Sequence, residues 1–347
     1  MTSHAYYNQQ NHGPYELVDI GAIPLISGDV LQHCQLAVAT FGELNAGKDN
    51  AILIPTWYSG TSKIISDVFI GAGRAIDPDK YFIIVVNQIG NGLSSSPHNT
   101  QGLQAHGRFP QITIAYDVRA QYRLLTEHFG LGQLALVMGG SMGAQQADEW
   151  AVRYPWMVQR LAAIAGTART SPINQLISDA IVHGLRADPH FNGGDYAHST
   201  DVSEGLEQHA RLMTLHGLSA EFFVGEHYHA LGFDSVTDFV AGFMTPYFAP
   251  MDPNTLITLL QKWRGADVSH ITGGDLPAAL GRITARTVVL PITQDLFFPP
   301  SVCLAEARMI SDATCKSIDS HFGHLGLFGA DAQWLQQVDA ELRVLLR

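Results

Sequence analysis

The run Gly139-Gly140-Ser141-Met142-Gly143 sets one hydroxyl between glycines two residues before and two residues after it. The apolar stretch 134–138 precedes it and the helix-compatible stretch 144–153 follows, so Ser141 falls on a tight strand-to-helix turn. Side chains on both flanks of such a turn would collide, and glycine removes them. The turn lifts the hydroxyl clear of its strand. It also puts Ser141 at a helix amino terminus, where unpaired N–H groups and the positive dipole end favour developing negative charge. These are the requirements of a serine that attacks an acyl carbon.

A serine hydroxyl is a poor nucleophile until a base takes its proton, and the base needs a carboxylate to orient it. Asp295 follows the strand-like run 287–292, and His324 follows 314–318. Both therefore belong on loops after the carboxyl ends of successive strands, the edge from which Ser141 emerges, in the order Ser, Asp, His. His321, three residues earlier, competes for the role of base. The glycine before His324 permits closer backbone approach and favours it. An oxyanion hole needs two backbone donors: Met142 supplies one, and the loop Thr56-Trp57-Tyr58-Ser59-Gly60 the other, through Tyr58 or its neighbour Trp57. Trp57 and Tyr58 also read as aromatic wall of the substrate pocket.

Parallel strands joined by helices would bring these residues together, and the chain reads that way. Runs 51–55, 81–87, 133–138, 158–165, 287–292 and 314–318 read as short strands, several of them nearly all apolar, as strands covered on both faces should be. Val118, Tyr122, Leu125 and Phe129 form the stripe of an amphipathic helix, with Asp117 read as its cap. Between 168 and 282 strand-like runs give way to helices. Ser171-Pro172 and Asp252-Pro253 each pair a capping residue with a first-turn proline. Ile173, Leu176, Ile177, Ala180 and Ile181 are expected to form the buried face of the first helix, and Leu256, Leu259, Leu260 and Trp263 that of the second. The expected organisation is an α/β core from 1–167 and 283–347, its sheet mostly parallel, with a helical lid over 168–282.

Composition agrees with a globular enzyme: 347 residues, 46% hydrophobic and 15% charged. A formal charge of −12 with no basic run excludes a nucleic-acid surface. No window is long and apolar enough to span a bilayer. The amino terminus lacks a basic start and an apolar stretch, and Cys34, Cys303 and Cys315 form no C-x-x-C pair; both point to the cytoplasm. Gly90-Asn91-Gly92 after a strand imitates a dinucleotide fingerprint, but Ser95 replaces its third glycine and Pro97 stands where a helix should begin. His227-x-His229 with Glu226 falls short of a zinc set and reads as surface or pocket histidine. Neither metal nor cofactor is required.

Nearly end to end, the chain resembles the homoserine O-acetyltransferase branch of the α/β-hydrolase superfamily. The resemblance rests on stretches 36–45, 81–97, 109–113, 117–121, 139–149 and 187–194, on Asp295-Leu-Phe-Phe-Pro-Pro300 and on Gly323-His324. It implies an α/β-hydrolase fold in which Ser141 is acylated, Asp295 and His324 complete a triad, and Tyr58 with Met142 forms the oxyanion hole. It also implies a helical lid, often used for homodimer formation. The chain departs from the branch where the amino-acid acceptor binds. Leu325 stands where the transferases carry Asp, which implies that it lies in the wall of the substrate pocket; stretch 222–233 lacks their Arg, and Thr56-Trp57-Tyr58-Ser59-Gly60 replaces His-Ala-Leu-Thr-Gly.

Three activities compete. Hydrolysis of a small ester (or of an amide or thioester) sends water to the acyl-Ser141 intermediate; transfer sends a small alcohol other than homoserine, with acyl-CoA as donor. A non-catalytic binding protein is the third class, and no triad position is degraded in its favour. The absent Asp and Arg favour hydrolysis.

Overall fold

The computed structural model describes residues 4–25 and 28–347; Met1, Thr2 and Ser3 of the amino-terminal stretch read above lie outside them. Eight strands form one sheet in the order β1-β2-β4-β3-β5-β6-β7-β8. They are β1 (Glu16–Pro24), β2 (Val30–Phe41), β3 (Ala51–Pro55), β4 (Phe82–Val86), β5 (Leu136–Gly140), β6 (Arg160–Ile164), β7 (Arg286–Leu290) and β8 (Ala313–Cys315). From β4 onward across the sheet every pairing is parallel, while β1 and β2 run antiparallel. This is the mostly parallel α/β sheet expected.

The central parallel strands β3, β4 and β5 are free of charged residues because each divides its side chains between two cores. Ile52, Ile54, Ile83, Val85, Leu136 and Met138 enter one cluster; Leu53, Ile84, Val86 and Val137 enter the other. Fully burying one such side chain contributes about 1.5–3 kcal/mol.

Among the described residues, every regular element between β6 and β7 is helical. Ser171 and Asp252 cap their helices as the sequence implies, accepting from the N–H of Asn174 and of Thr255. Leu256, Leu259, Leu260 and Trp263 are all buried. In the helix Pro172–Ala187, however, Ile177, Ile181, Val182 and Leu185 are buried whereas Ile173, Leu176 and Ala180 face solvent. The buried stripe runs instead through Asn174, Ile177, Ser178, Ile181, Val182 and Leu185, one position round the helix from the expected face, and Asn174 donates to the Phe297 carbonyl at 2.6 Å from that side. No helix among the described residues is long and apolar enough to cross a membrane.

Asp117 is not a cap. Its helix starts at Ile114, and its carboxylate is buried against Lys262, with Nζ–Oδ2 at 2.6 Å. Lys262 Nζ also donates to the Ile89 carbonyl at 2.6 Å and to Gln88 Oε1 at 3.0 Å, while Asp117 Oδ1 accepts from the Ile89 N–H at 2.8 Å. Burial draws the ammonium down and pushes the carboxyl up, and each charge opposes the other's shift. With three oxygens converging on one ammonium, the pair is ionic. Gln88 in turn donates to the carbonyls of Thr56 at 3.1 Å and Trp57 at 3.0 Å.

Lys262→Met should therefore cost about 3–5 kcal/mol, since it leaves a buried carboxylate unpaired. Adding Asp117→Leu should recover part of that loss. Urea unfolding of both variants checks this; a single-variant cost below about 1 kcal/mol would contradict a charged pair.

Candidate active site

Ser141 has φ of +54°, a strained value for a side-chain-bearing residue. The surroundings enforce it. A Cβ on Gly139 would lie 2.1 Å from the Gly143 carbonyl, and one on Gly143 would lie 2.6 Å from the Pro55 carbonyl oxygen. These contacts explain the two glycines and press the start of the helix Met142–Arg153 against the end of β3.

Ser141 Oγ lies 2.9 Å from His324 Nε2, and His324 Nδ1 lies 2.7 Å from Asp295 Oδ2. All three residues are buried. Asp295 Oδ1 accepts from the N–H groups of Phe297 at 2.8 Å and Phe298 at 3.0 Å, which fixes the carboxylate. With Asp295 as an acceptor, Nδ1 carries the proton and Nε2 is free to accept from the hydroxyl. The edge of Phe297 meets the imidazole 5.1 Å away, and Phe298 lies 5.4 Å from it. His321 is exposed and bonded to neither Ser141 nor Asp295; its ring stacks on His227.

The N–H groups of Trp57, Tyr58 and Met142 donate to no group among the described residues. Around Ser141 and His324 lies a cavity of about 130 Å³. Trp57, Tyr58, Phe297, Leu325 and Leu327 line it from the core, and Met213, Phe239, Met244, Tyr247 and Phe248 from the helical insertion. No Lys or Arg is among the described residues lining it. Leu325 rests on Gly217, whose position would bring a Cβ within 3.2 Å of the leucine. Tyr247 ties the insertion to the core, its hydroxyl donating to the Ser59 carbonyl at 3.1 Å.

Sequence reasoning missed one polar partner of this cavity. His209, wholly buried in the helix Ser203–Gly217, has Nε2 2.9 Å from the Tyr58 hydroxyl, and its Nδ1 has no partner among the described residues. The available signal was its place on the apolar stripe of Leu206, Ala210 and Met213. Burial pushes its imidazole down to about 3, so it is neutral in the folded protein.

With the fold and this arrangement, the chain belongs to the alpha/beta hydrolase fold family, which matches it over residues 52–331. It is an enzyme, an ester hydrolase. It is 56% identical to an ethyl acetate hydrolase of Pseudomonas veronii, over 99% of this chain and 98% of that one. The crystal structure of an acetylester hydrolase from Corynebacterium glutamicum matches with a TM-score of 0.98 at 46% identity, over 100% of this chain and 99% of that one. A homoserine O-acetyltransferase of Leifsonia xyli is 32% identical over 92% of this chain and 87% of that one, so the resemblance to that branch holds at greater distance.

The buried His209 gives a pH dependence of known sign. Its folded value of about 3 lies below the ordinary 6.5, so the unfolded chain binds the extra proton between those limits. Its contribution to stability is full above that window and is lost as pH falls through it, at up to about 1.4 kcal/mol per pH unit. His209→Gln should flatten the acid limb of a stability–pH curve measured by urea unfolding from pH 7 to 4. An unchanged slope would place the imidazole outside the buried, neutral state.

Proposed function

We propose that this chain hydrolyses acetate esters of small uncharged alcohols through an acyl-Ser141 intermediate. The observation that carries this reading is the bonded series Ser141, His324, Asp295 opening into a small, almost wholly apolar cavity. The names of the two most similar proteins described above agree with it.

His324 Nε2 takes the hydroxyl proton as Ser141 Oγ attacks the acyl carbon, and Asp295 stabilises the imidazolium through Nδ1–H. The tetrahedral oxyanion draws on the N–H of Met142 and on that of Tyr58 or Trp57, all otherwise unpaired. The imidazolium then returns its proton to the departing alcohol. Water enters, gives a proton to Nε2 and attacks the acyl carbon; as the second tetrahedral species collapses to the carboxylic acid, the C–Oγ bond breaks and the imidazolium returns its proton to Ser141 Oγ, restoring the hydroxyl and neutral His324. A cytoplasmic location belongs to the same reading, supported by three cysteines in no disulfide, two of them buried.

Ser141→Ala should fold and retain less than about one part in a thousand of wild-type turnover. His324→Ala should do similar damage, and His321→Ala should keep most activity. Initial rates on a short-chain aryl ester separate these; a worse loss in the His321 variant would overturn the choice of base.

Homoserine should be a poor acceptor even with acetyl-CoA present. Its ammonium and carboxylate would enter a cavity with no Lys or Arg among the described residues lining it and with Leu325 where a partner carboxylate is needed. Two missing partners cost about 3–6 kcal/mol, roughly a factor of 10² to 10⁴. Comparing homoserine with uncharged alcohols and simple esters, for the wild type and Leu325→Asp, measures this. Efficient homoserine acetylation by the unmodified protein would overturn the hydrolase reading.

A further inference from the structure

We propose that Glu221, His227 and His321 form a binding site for one divalent d-block cation of the Zn²⁺ or Ni²⁺ type, joining the helical insertion to the loop that carries His324. The His227-x-His229 pair draws attention in the sequence, but the fold separates it: His229 turns its Nδ1 to the Phe233 carbonyl at 2.8 Å. His227 instead meets donors from elsewhere in the chain. One ligand atom from each of Glu221, His227 and His321 lies within 4.8 Å of the other two.

One unsatisfied atom points to a ligand here, and two features of the fold bring the donors to it. The imidazoles of His227 and His321 lie face to face, centroids 4.6 Å apart and planes 11° from parallel. His227 Nε2 is buried with no hydrogen-bond partner among the described residues, a cost that a bound cation would remove. Glu226 takes the left-handed conformation, φ +52°, which folds His227 back so that Nε2 sits 2.7 Å from where a Gly225 Cβ would be. That reversal returns the imidazole towards the turn bearing Glu221.

The backbone under these donors is held from both sides. Phe222, next to Glu221, is fully buried against Phe322, next to His321, with ring centroids 5.5 Å apart. Ser219 Oγ donates to the His321 carbonyl and accepts from the Phe222 N–H at 3.0 Å. A Cβ on Gly323 would lie 2.7 Å from the Ser219 nitrogen, so the two segments touch at backbone level. The side chains of Glu221 and His321 are exposed and free to adjust. Metal–ligand bonds of about 2.0–2.2 Å put tetrahedral donors roughly 3.3 Å apart, so donors now within 4.8 Å of one another must draw in and the two stacked rings must tilt towards a shared ion.

Two imidazole nitrogens and one carboxylate oxygen suit a borderline cation, whereas Mg²⁺ and Ca²⁺ prefer oxygen alone. Three protein ligands leave one tetrahedral position for water. None of the three residues lines the cavity at Ser141, so a bound ion bridges two parts of the fold without touching the reacting groups.

The test is calorimetric titration of the chelator-washed full chain with ZnCl2 and with NiCl2, followed by thermal unfolding with and without metal. One ion per chain should bind with a Kd of about 1–10 μM and raise Tm. The His227→Ala/His321→Ala variant should bind at least tenfold more weakly and lose the shift in Tm, while His229→Ala behaves as wild type and MgCl2 has no effect. Ester turnover without metal verifies that the double variant is folded; should it not fold, His321→Ala alone, at an exposed side chain, carries the comparison. Absence of saturable binding tighter than about 0.1 mM, or unchanged binding in the variant, would overturn the site.

Discussion

The catalytic edge depends on how closely the helix after Ser141 approaches the end of β3. With no side chain on Gly143, the Pro55 carbonyl and the first turn of the helix share a space that any Cβ would fill. That contact sets Met142 beside the loop Thr56–Gly60, and it holds Ser141 in its strained conformation. The loop is then fixed from behind: Gln146 and Gln88 both donate to the Thr56 carbonyl, at 2.9 and 3.1 Å, and Gln88 is itself held by Lys262. Lys262 belongs to a helix of the insertion. The charged pair with Asp117 thus links the insertion, the loop Thr56–Gly60 and the helix after Ser141 through one buried polar network, where each member is costly to lose because the others would be left unpaired.

The insertion supplies what the sheet lacks. Strand ends and loops give Ser141, His324 and Asp295 their bonding distances, but most of the apolar wall opposite comes from helices between β6 and β7. Tyr58 stands at the seam, its backbone on the core loop and its hydroxyl on His209 of the insertion. Burial pushes the Tyr58 phenol well above its ordinary range and the His209 imidazole well below, so this contact joins two neutral groups. It gives the cavity wall a polar link without a charge.

The parallel strands were legible because burial on both faces leaves an unbroken apolar run. Strands β1 and β2 were not: they pair antiparallel at the edge, only three of the nine residues of β1 and six of the twelve of β2 are buried, and the register shifts around Gly21 break the alternation. Ser141, Asp295 and His324 could be singled out because a local motif and loop order carry their signal. His209 carried none beyond a place on an apolar stripe, and Asp117 misled because its position in a first turn imitates a cap while its partner lies 145 residues away. The grouping of Glu221, His227 and His321 joins residues up to a hundred positions apart in sequence. Nothing local encodes such neighbours.

The absence of any Lys or Arg among the described residues around the cavity also governs how a reaction there would end. An ester and an alcohol are neutral and cross an apolar passage at little cost, but the acid product becomes an anion on losing its proton. A carboxylate pays several kcal/mol to stay in such surroundings unpaired. Ionisation in bulk water therefore draws the product outward and hinders its return, giving the cavity a directionality that no moving part supplies. A wall that excludes charge would act as a one-way valve for acid.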